Sequence, residues 1–180
     1  MTDREVLVLA VLIGMRALTP LLIFRWNFAG GLLAILADGS DAILQDALGA
    51  EPLRGWYHEF DKVFDTYYLA IEAIVAWRWP DPIARSLAVS LFALRAVGVI
   101  VFEFTEYRGT LLIFPNVFEN FYIFVAGMRS ADRSFRFQSY RVALLTVVLV
   151  GCPKVIQEYV MHFREAQTWH FVKEHIFQWR

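Results

Sequence analysis

Residues 37–65 read ADGSDAILQDALGAEPLRGWYHEFDKVFD, and this stretch joins the end of one apolar segment to the start of the next. Asp38 and Asp41 stand three residues apart before the join, and Asp61 and Asp65 stand four residues apart after it. Both spacings put two side chains on one face of a helix. Because four carboxylates in apolar surroundings repel one another and lose hydration, they require a cation, a hydrogen-bonding partner or shared protons.

The composition of the whole chain indicates a membrane protein. Apolar residues make up 58% of the 180 residues and aromatic residues 16%, and the apolar share is above that of an ordinary soluble domain. A net charge of −1, with no basic stripe of interleaved stacking residues, argues against a nucleic-acid partner. The single cysteine, Cys152, excludes an intrachain disulfide. We therefore expect an integral membrane protein that crosses the membrane several times.

Apolar runs close to the roughly 20 residues that a bilayer requires predict an all-α membrane bundle with about six transmembrane helices in residues 1–162. The second run is short, and the fifth is interrupted by Pro115. Residues 163–180 carry apolar side chains at helical spacing, which predicts an amphipathic tail helix lying in the membrane interface. The six predicted spans are residues 5–24, 28–44, 57–77, 83–104, 110–128 and 142–162.

Ionisable side chains inside the predicted spans fall on single helix faces. Each costs about 2.5–3.5 kcal/mol to insert, so we expect them to face the interior of the bundle and not the lipid. Acids outnumber bases, and carboxylate oxygens suit Mg²⁺, Mn²⁺ or Ca²⁺ better than zinc. Besides the four aspartates, the polar residues predicted to be buried are His58, Glu72, Glu119, Lys154 and Glu158.

Several of these residues also have a purely structural interpretation. Lys154 and Glu158 stand four residues apart, which is the spacing of an ion pair on one helix face. Arg95, in the fourth predicted span, can hold helices together by pairing with Glu72 or Glu119. The four aspartates can line a wet loop instead of a site.

The aspartates and their placement resemble the CDP-alcohol phosphotransferase family. Those enzymes have six membrane helices and a signature of the form D-x2-D-G-x2-A-R, then G-x3-D-x3-D, at the end of the second helix and the start of the third. Here Asp38-x2-Asp41 and Asp61-x3-Asp65 match the four acidic positions in order. The A-R pair is replaced by Gln45-Asp46, so a basic contact to a nucleotide is missing.

The resemblance implies a divalent-metal-dependent phosphotransfer of lipid synthesis. It implies that Asp38, Asp41 and Asp61 bind Mg²⁺ or Mn²⁺ and that Asp65 is the catalytic base on the acceptor alcohol. Arg95, in a fourth helix that is also similar to the family's, is then the candidate substrate-binding residue. A relative that has lost its activity would keep the same architecture, so the residues leave open whether this protein is an enzyme.

Two other functions fit the same composition. A non-enzymatic subunit of a larger membrane complex would have its acids paired with Arg16, Arg95 and Lys154, and its large apolar faces would meet other chains. A small cation or proton transporter would have a continuous wet path along the acidic residues of its spans. The expected partners are membrane lipid and either a second copy of the chain or a larger membrane complex.

Charge in the loops predicts the orientation. By the positive-inside rule, the basic linker between the last two predicted spans faces the cytoplasm. With six spans, residues 45–57 then face the opposite side, away from a cytosolic nucleotide. The basic residues of the linker are Arg129, Arg133, Arg136 and Arg141.

Overall fold

A computed structural model describes residues 3–48, 57–105, 107 and 109–159. Within these residues the protein is all-helical, as the sequence predicts. The chain divides into two compact units, Met1–Val75 and Ala76–Arg180. The α-helices are α1 (Asp3–Leu18), α2 (Asn27–Leu48), α3 (Tyr57–Trp77), α4 (Pro82–Thr105), α5 (Gly109–Ile113), α6 (Val117–Ala131) and α7 (Tyr140–Glu158), and a 3₁₀ segment covers Thr19–Phe24.

The first predicted span consists of α1 followed by the 3₁₀ segment and is not one continuous α-helix. Pro20 has no N–H to donate to the carbonyl four residues earlier, and the helix tightens at this point. The hydroxyl of Thr19 donates to the carbonyl oxygen of Met15 at 2.8 Å. The α-helical part of the span therefore ends two residues after Arg16.

α2 packs tightly against the 3₁₀ segment because residue 30 is a glycine. Gly30 is buried, and a Cβ at this position would lie closer than 3.0 Å to backbone atoms of Leu22 and Ile23. A side chain at residue 30 would push the two backbones apart. The close approach keeps α2 beside the segment that continues α1.

Every fourth residue of α1 from Val8 to Arg16 is buried, and these residues share one face of the helix. Val8 and Leu12 are 1% and 0% exposed, and Leu44 and Phe60 pack against them. The next residue on this face is Arg16, which is 3% exposed. The apolar packing of α1 therefore carries a guanidinium group into the interior of the first unit.

In the second unit, the predicted fifth span is broken into α5 and α6. The break covers residues 114–116 and contains Pro115, which cannot continue the hydrogen-bond ladder of a helix. Gly98 of α4 faces the break, because a Cβ at residue 98 would lie closer than 3.0 Å to the side chain of Phe114. Nη1 of Arg95 donates to the carbonyl oxygen of Phe114 at 3.2 Å, so α4 stabilises the interruption.

Asp81 fixes the turn before α4. It is 2% exposed, and its two carboxylate oxygens accept the N–H of Ile83 and the N–H of Phe137, each at 2.9 Å. The first bond caps the helix, and the second holds the linker before α7 against the start of α4. Nearby, the rings of Trp79 and Tyr122 stack with centroids 5.4 Å apart.

Within the part of the chain that the structure describes, two segments are long and apolar enough to cross a membrane. They are Asp3–Phe24 and Pro82–Thr105, which correspond to the first and fourth predicted spans. The arrangement of six spans stays a prediction. The tail helix predicted for residues 163–180 lies outside the residues that the structure describes.

Candidate metal centre

Arg16 of α1 contacts all four aspartates of residues 37–65. Its Nη1 lies 2.9 Å from Oδ2 of Asp41 and also contacts Asp38. Its Nη2 lies 2.9 Å from Oδ1 of Asp65 and 3.3 Å from Oδ1 of Asp61. The structure thus brings the four predicted aspartates together, with an arginine among them.

The four aspartates come from two helices, and each helix supplies two aspartates that lie about one turn apart. Asp38 and Asp41 belong to the last part of α2, and Asp61 and Asp65 belong to the first part of α3. The ring centroid of Phe64 lies 5.9 Å from Cζ of Arg16, which is within the range of a cation–π contact. The hydroxyl of Tyr67 donates to the carbonyl oxygen of Ala17 at 3.0 Å, which ties α3 to the end of α1.

The cluster has a buried floor and an open rim. The side chains of Arg16 and Asp41 are 2% and 1% exposed, so they form the floor. The other three carboxylates form what we call the aspartate rim, and one oxygen from each lies within 4.8 Å of the other two. The rim could therefore hold a metal ion. Its members are Asp38, Asp61 and Asp65, which are 33%, 36% and 37% exposed.

The cluster holds more acids than Arg16 can offset by itself, because one guanidinium carries one positive charge and four ionised carboxylates carry four negative charges. Like charges this close favour the binding of a cation or a proton. Carboxylate oxygens are the ligands that Mg²⁺ and Mn²⁺ prefer, so the donor set of the rim fits the ions that the sequence suggested.

The grouping of the aspartates differs from the one that the resemblance implies. The family pattern assigns Asp41 to metal binding and Asp65 to catalysis, whereas the structure groups Asp65 with the other rim residues and places Asp41 against Arg16. Oδ1 of Asp41 is buried and, within the described part of the chain, has no hydrogen-bond partner. The grouping follows from the exposure of the four side chains to solvent. The three rim carboxylates are partly exposed, whereas Asp41 is buried.

The remaining predicted site residues do not join this cluster or cannot be placed in it. In the second unit, Nζ of Lys154 lies 3.1 Å from Oε2 of Glu119, and Nδ2 of Asn116 donates to the same oxygen at 2.7 Å. Arg95 also belongs to the second unit, where it donates to Phe114. Glu72 of α3 is fully buried. The side chains of His58 and Glu158 lie outside the described residues.

The sequence did not single out Arg16 as the centre of the aspartate cluster. From the sequence, Arg16 was expected only as one of three cations that could pair with the acids, together with Arg95 and Lys154. A usable signal is present, however, because a guanidinium in the middle of an apolar span must find acceptors inside the bundle. Four aspartates at the neighbouring span ends are the obvious acceptors for it.

Comparison with protein-family models, with curated proteins and with solved structures finds no match for this chain. The relation to CDP-alcohol phosphotransferases therefore stays a prediction from the four aspartates.

Proposed function

We propose that this protein is a membrane-embedded, divalent-metal-dependent phosphotransferase that resembles the CDP-alcohol phosphotransferases. The observation that carries the proposal is the aspartate rim, in which carboxylates of two helices converge and stay partly open. One oxygen from each of the three rim carboxylates lies within 4.8 Å of the other two, and carboxylates grouped this closely favour the binding of Mg²⁺ or Mn²⁺. Both features suit a site that must hold a cation and admit a phosphate-bearing substrate. A cytosolic CDP substrate requires an even number of crossings between residues 45–57 and the basic linker, in place of the three in the six-span prediction.

The chemistry follows from the groups present. Bound Mg²⁺ or Mn²⁺ would offset negative charge on the pyrophosphate of the substrate. The alcohol oxygen of the acceptor forms a bond to the phosphorus of the transferred group, the bond from that phosphorus to the bridging oxygen breaks, and CMP leaves. In this scheme Asp38 and Asp61 of the rim would hold the ion, and Asp65 would take the hydroxyl proton, the role that the resemblance gives it. The partial exposure of Asp65 lets a hydroxyl reach it.

Arg16 has a supporting role in this scheme. It is buried and already bonded to carboxylates, so it does not contact the substrate. Its contacts to α2 and α3 hold the four carboxylates near one another before a metal ion arrives, which lowers the cost of assembling the ligands.

The test is the release of CMP by purified protein in mixed micelles that contain CDP-diacylglycerol, an acceptor alcohol and Mn²⁺ or Mg²⁺. We expect turnover that depends on the divalent ion and is lost in Asp61→Asn and in Asp65→Asn. Asp3→Asn, at an exposed residue that begins α1, serves as the matched control and should keep the activity. The absence of CMP release across a panel of polyol and amino-alcohol acceptors would contradict the enzymatic proposal.

A non-enzymatic subunit of a membrane complex is the second candidate. It is favoured by one specific observation, the contact of Arg16 with all four aspartates of the cluster. The pairing of Lys154 with Glu119 fits it as well. This candidate predicts that the cluster binds no divalent ion and that the chain purifies from its native membrane with other subunits. The transporter hypothesis stays a prediction.

A further inference from the structure

One end of the second unit gathers the start of α4, the end of α6 and the start of α7. The carboxylate of Asp81 bonds the N–H of Ile83 at the start of α4 and the N–H of Phe137 in the linker. The hydroxyls of Ser86 and Tyr140 lie 3.2 Å apart. The turn that precedes α4 and the linker that precedes α7 are therefore neighbours.

This end carries six arginines, which we call the arginine-rich end. Four of them come from the linker and its borders, and two come from the turn before α4 and the first turn of that helix. Five are exposed, and Arg129 is half-buried. The six are Arg78, Arg85, Arg129, Arg133, Arg136 and Arg141.

The positive charge of the arginine-rich end is only partly offset within the described part of the chain, because six guanidinium groups are accompanied by two carboxylates. The two acids nearby are occupied: Asp81 accepts two backbone N–H groups, and Asp132 accepts the hydroxyl and the N–H of Ser134 at 2.7 and 2.8 Å. The hydroxyl and N–H of Ser134 lower the pKa of Asp132. Among the described residues, none of the six guanidinium groups forms an ion pair, and Nη1 of Arg129 is buried without a hydrogen-bond partner.

Exposed aromatic side chains accompany these arginines. Trp77 is 65% exposed beside Arg78, and Tyr140 is 53% exposed beside Arg141. Tryptophan and tyrosine are enriched at the depth of lipid headgroups. The same end begins Pro82–Thr105, a segment long and apolar enough to cross a membrane, so the arginines would lie at headgroup level.

We propose that the arginine-rich end binds the phosphate groups of anionic phospholipids in the leaflet that it faces. Guanidinium groups pair with phosphate oxygens through two parallel hydrogen bonds, and basic clusters beside a membrane span are attracted to anionic lipid. The arginine-rich end shares no residue with the aspartate cluster. The proposal does not depend on any catalytic role of the protein.

The test compares the association of spin-labelled phosphatidylglycerol and spin-labelled phosphatidylcholine with the full-length protein in phosphatidylcholine bilayers. We expect wild-type protein to prefer phosphatidylglycerol about threefold or more, and 1 M NaCl to reduce this preference strongly. Arg133→Gln/Arg136→Gln should lose at least about half of the preference. The matched double variant Arg4→Gln/Arg25→Gln removes two exposed arginines of the first unit and should keep it.

Three outcomes would overturn the proposal. One is a wild-type ratio near one, and another is an equal loss in both double variants. The third is binding of a soluble acidic peptide to the same arginines without any lipid preference. Arg133→Lys/Arg136→Lys guards against a folding defect, because it retains the charge and should retain most of the preference.

Discussion

At the scale of a single residue, Arg16 is the positive charge at the centre of the aspartate cluster. Its side chain is 2% exposed and contacts carboxylates from two helices. Removing one partner of a buried charged cluster leaves the others unopposed, which is more costly than never having buried them. The aspartates of this cluster would then repel one another across the junction of α2 and α3.

We therefore predict that Arg16→Met lowers the free energy of unfolding by about 3–5 kcal/mol. Arg25→Met, at an exposed arginine in the turn after the 3₁₀ segment, is the matched control and should change it by less than about 0.5 kcal/mol. Chemical unfolding in detergent measures both. Equal effects of the two substitutions would show that the contacts of Arg16 contribute little.

Mn²⁺ should restore part of the stability of Arg16→Met, because a divalent cation among the carboxylates replaces the lost positive charge and stabilises the folded form by mass action. The same addition should have no effect on Arg16→Met/Asp61→Asn/Asp65→Asn. Stabilisation of both variants to the same degree would mean that the ion acts elsewhere.

The residue-scale features could be predicted only in part. The spacing of Asp38, Asp41, Asp61 and Asp65 was sufficient to expect their convergence, because each pair lies on one helix face and the two helices are consecutive. The identity of the cation among them was not predicted, although the position of Arg16 in the middle of an apolar span was a usable signal. Arg16, Arg95 and Lys154 were equally available to the acids, and contacts between residues 25 to 49 positions apart depend on how α1 packs.

At the scale of elements, the sequence predicted the helices that form from long apolar runs with turn-forming or polar residues at their ends. The bounds of α3 are those expected, and α4 extends one residue beyond its prediction at each end, because the Trp-Pro turn before it and the polar residues after it bound an uninterrupted run. Pro115 correctly indicated an interruption. Pro20 lies so near the end of its span that the change to a 3₁₀ segment was not expected.

The close approach of α2 to the 3₁₀ segment gives a prediction for two glycines of the same helix. Gly30→Ala should destabilise the protein by about 1–3 kcal/mol, because the added methyl group meets the backbone of Leu22 and Ile23. Gly39→Ala should be neutral or stabilise it by up to about 1 kcal/mol, because a Cβ there has no atom within 4 Å and alanine favours helix. Thermal unfolding in detergent compares the two variants. Equal stability of Gly30→Ala and Gly39→Ala would contradict the packing described.

At the scale of the whole molecule, the central question is which segments cross the membrane. α4 has 24 residues and is about 36 Å long, which exceeds the roughly 30 Å hydrocarbon core of a bilayer. Exposed Gln138 follows Phe137, which is bonded to Asp81 at the start of α4, and exposed Tyr107 follows the end of this helix. If α4 crosses, Gln138 and Tyr107 lie on opposite sides.

We predict that Gln138→Cys and Tyr107→Cys, each on a Cys152→Ser background, react with a membrane-impermeant maleimide from opposite sides. By the positive-inside rule, Gln138→Cys should react in inside-out vesicles, and Tyr107→Cys should react in intact cells. Labelling of both from one side would show that α4 does not span. Reversed labelling would leave the span in place and contradict the orientation.

The binding of Mn²⁺ to the aspartate rim is the claim on which the functional account depends most. Electron paramagnetic resonance of free Mn²⁺, titrated with purified protein, measures it without any assumption about the substrate. We predict that wild-type protein and Asp3→Asn remove Mn²⁺ from solution in the same amount, at one or two ions per chain, and that Asp61→Asn/Asp65→Asn removes much less. Equal binding by all three proteins, or no binding by wild type, would contradict the account and favour a structural cluster held by Arg16.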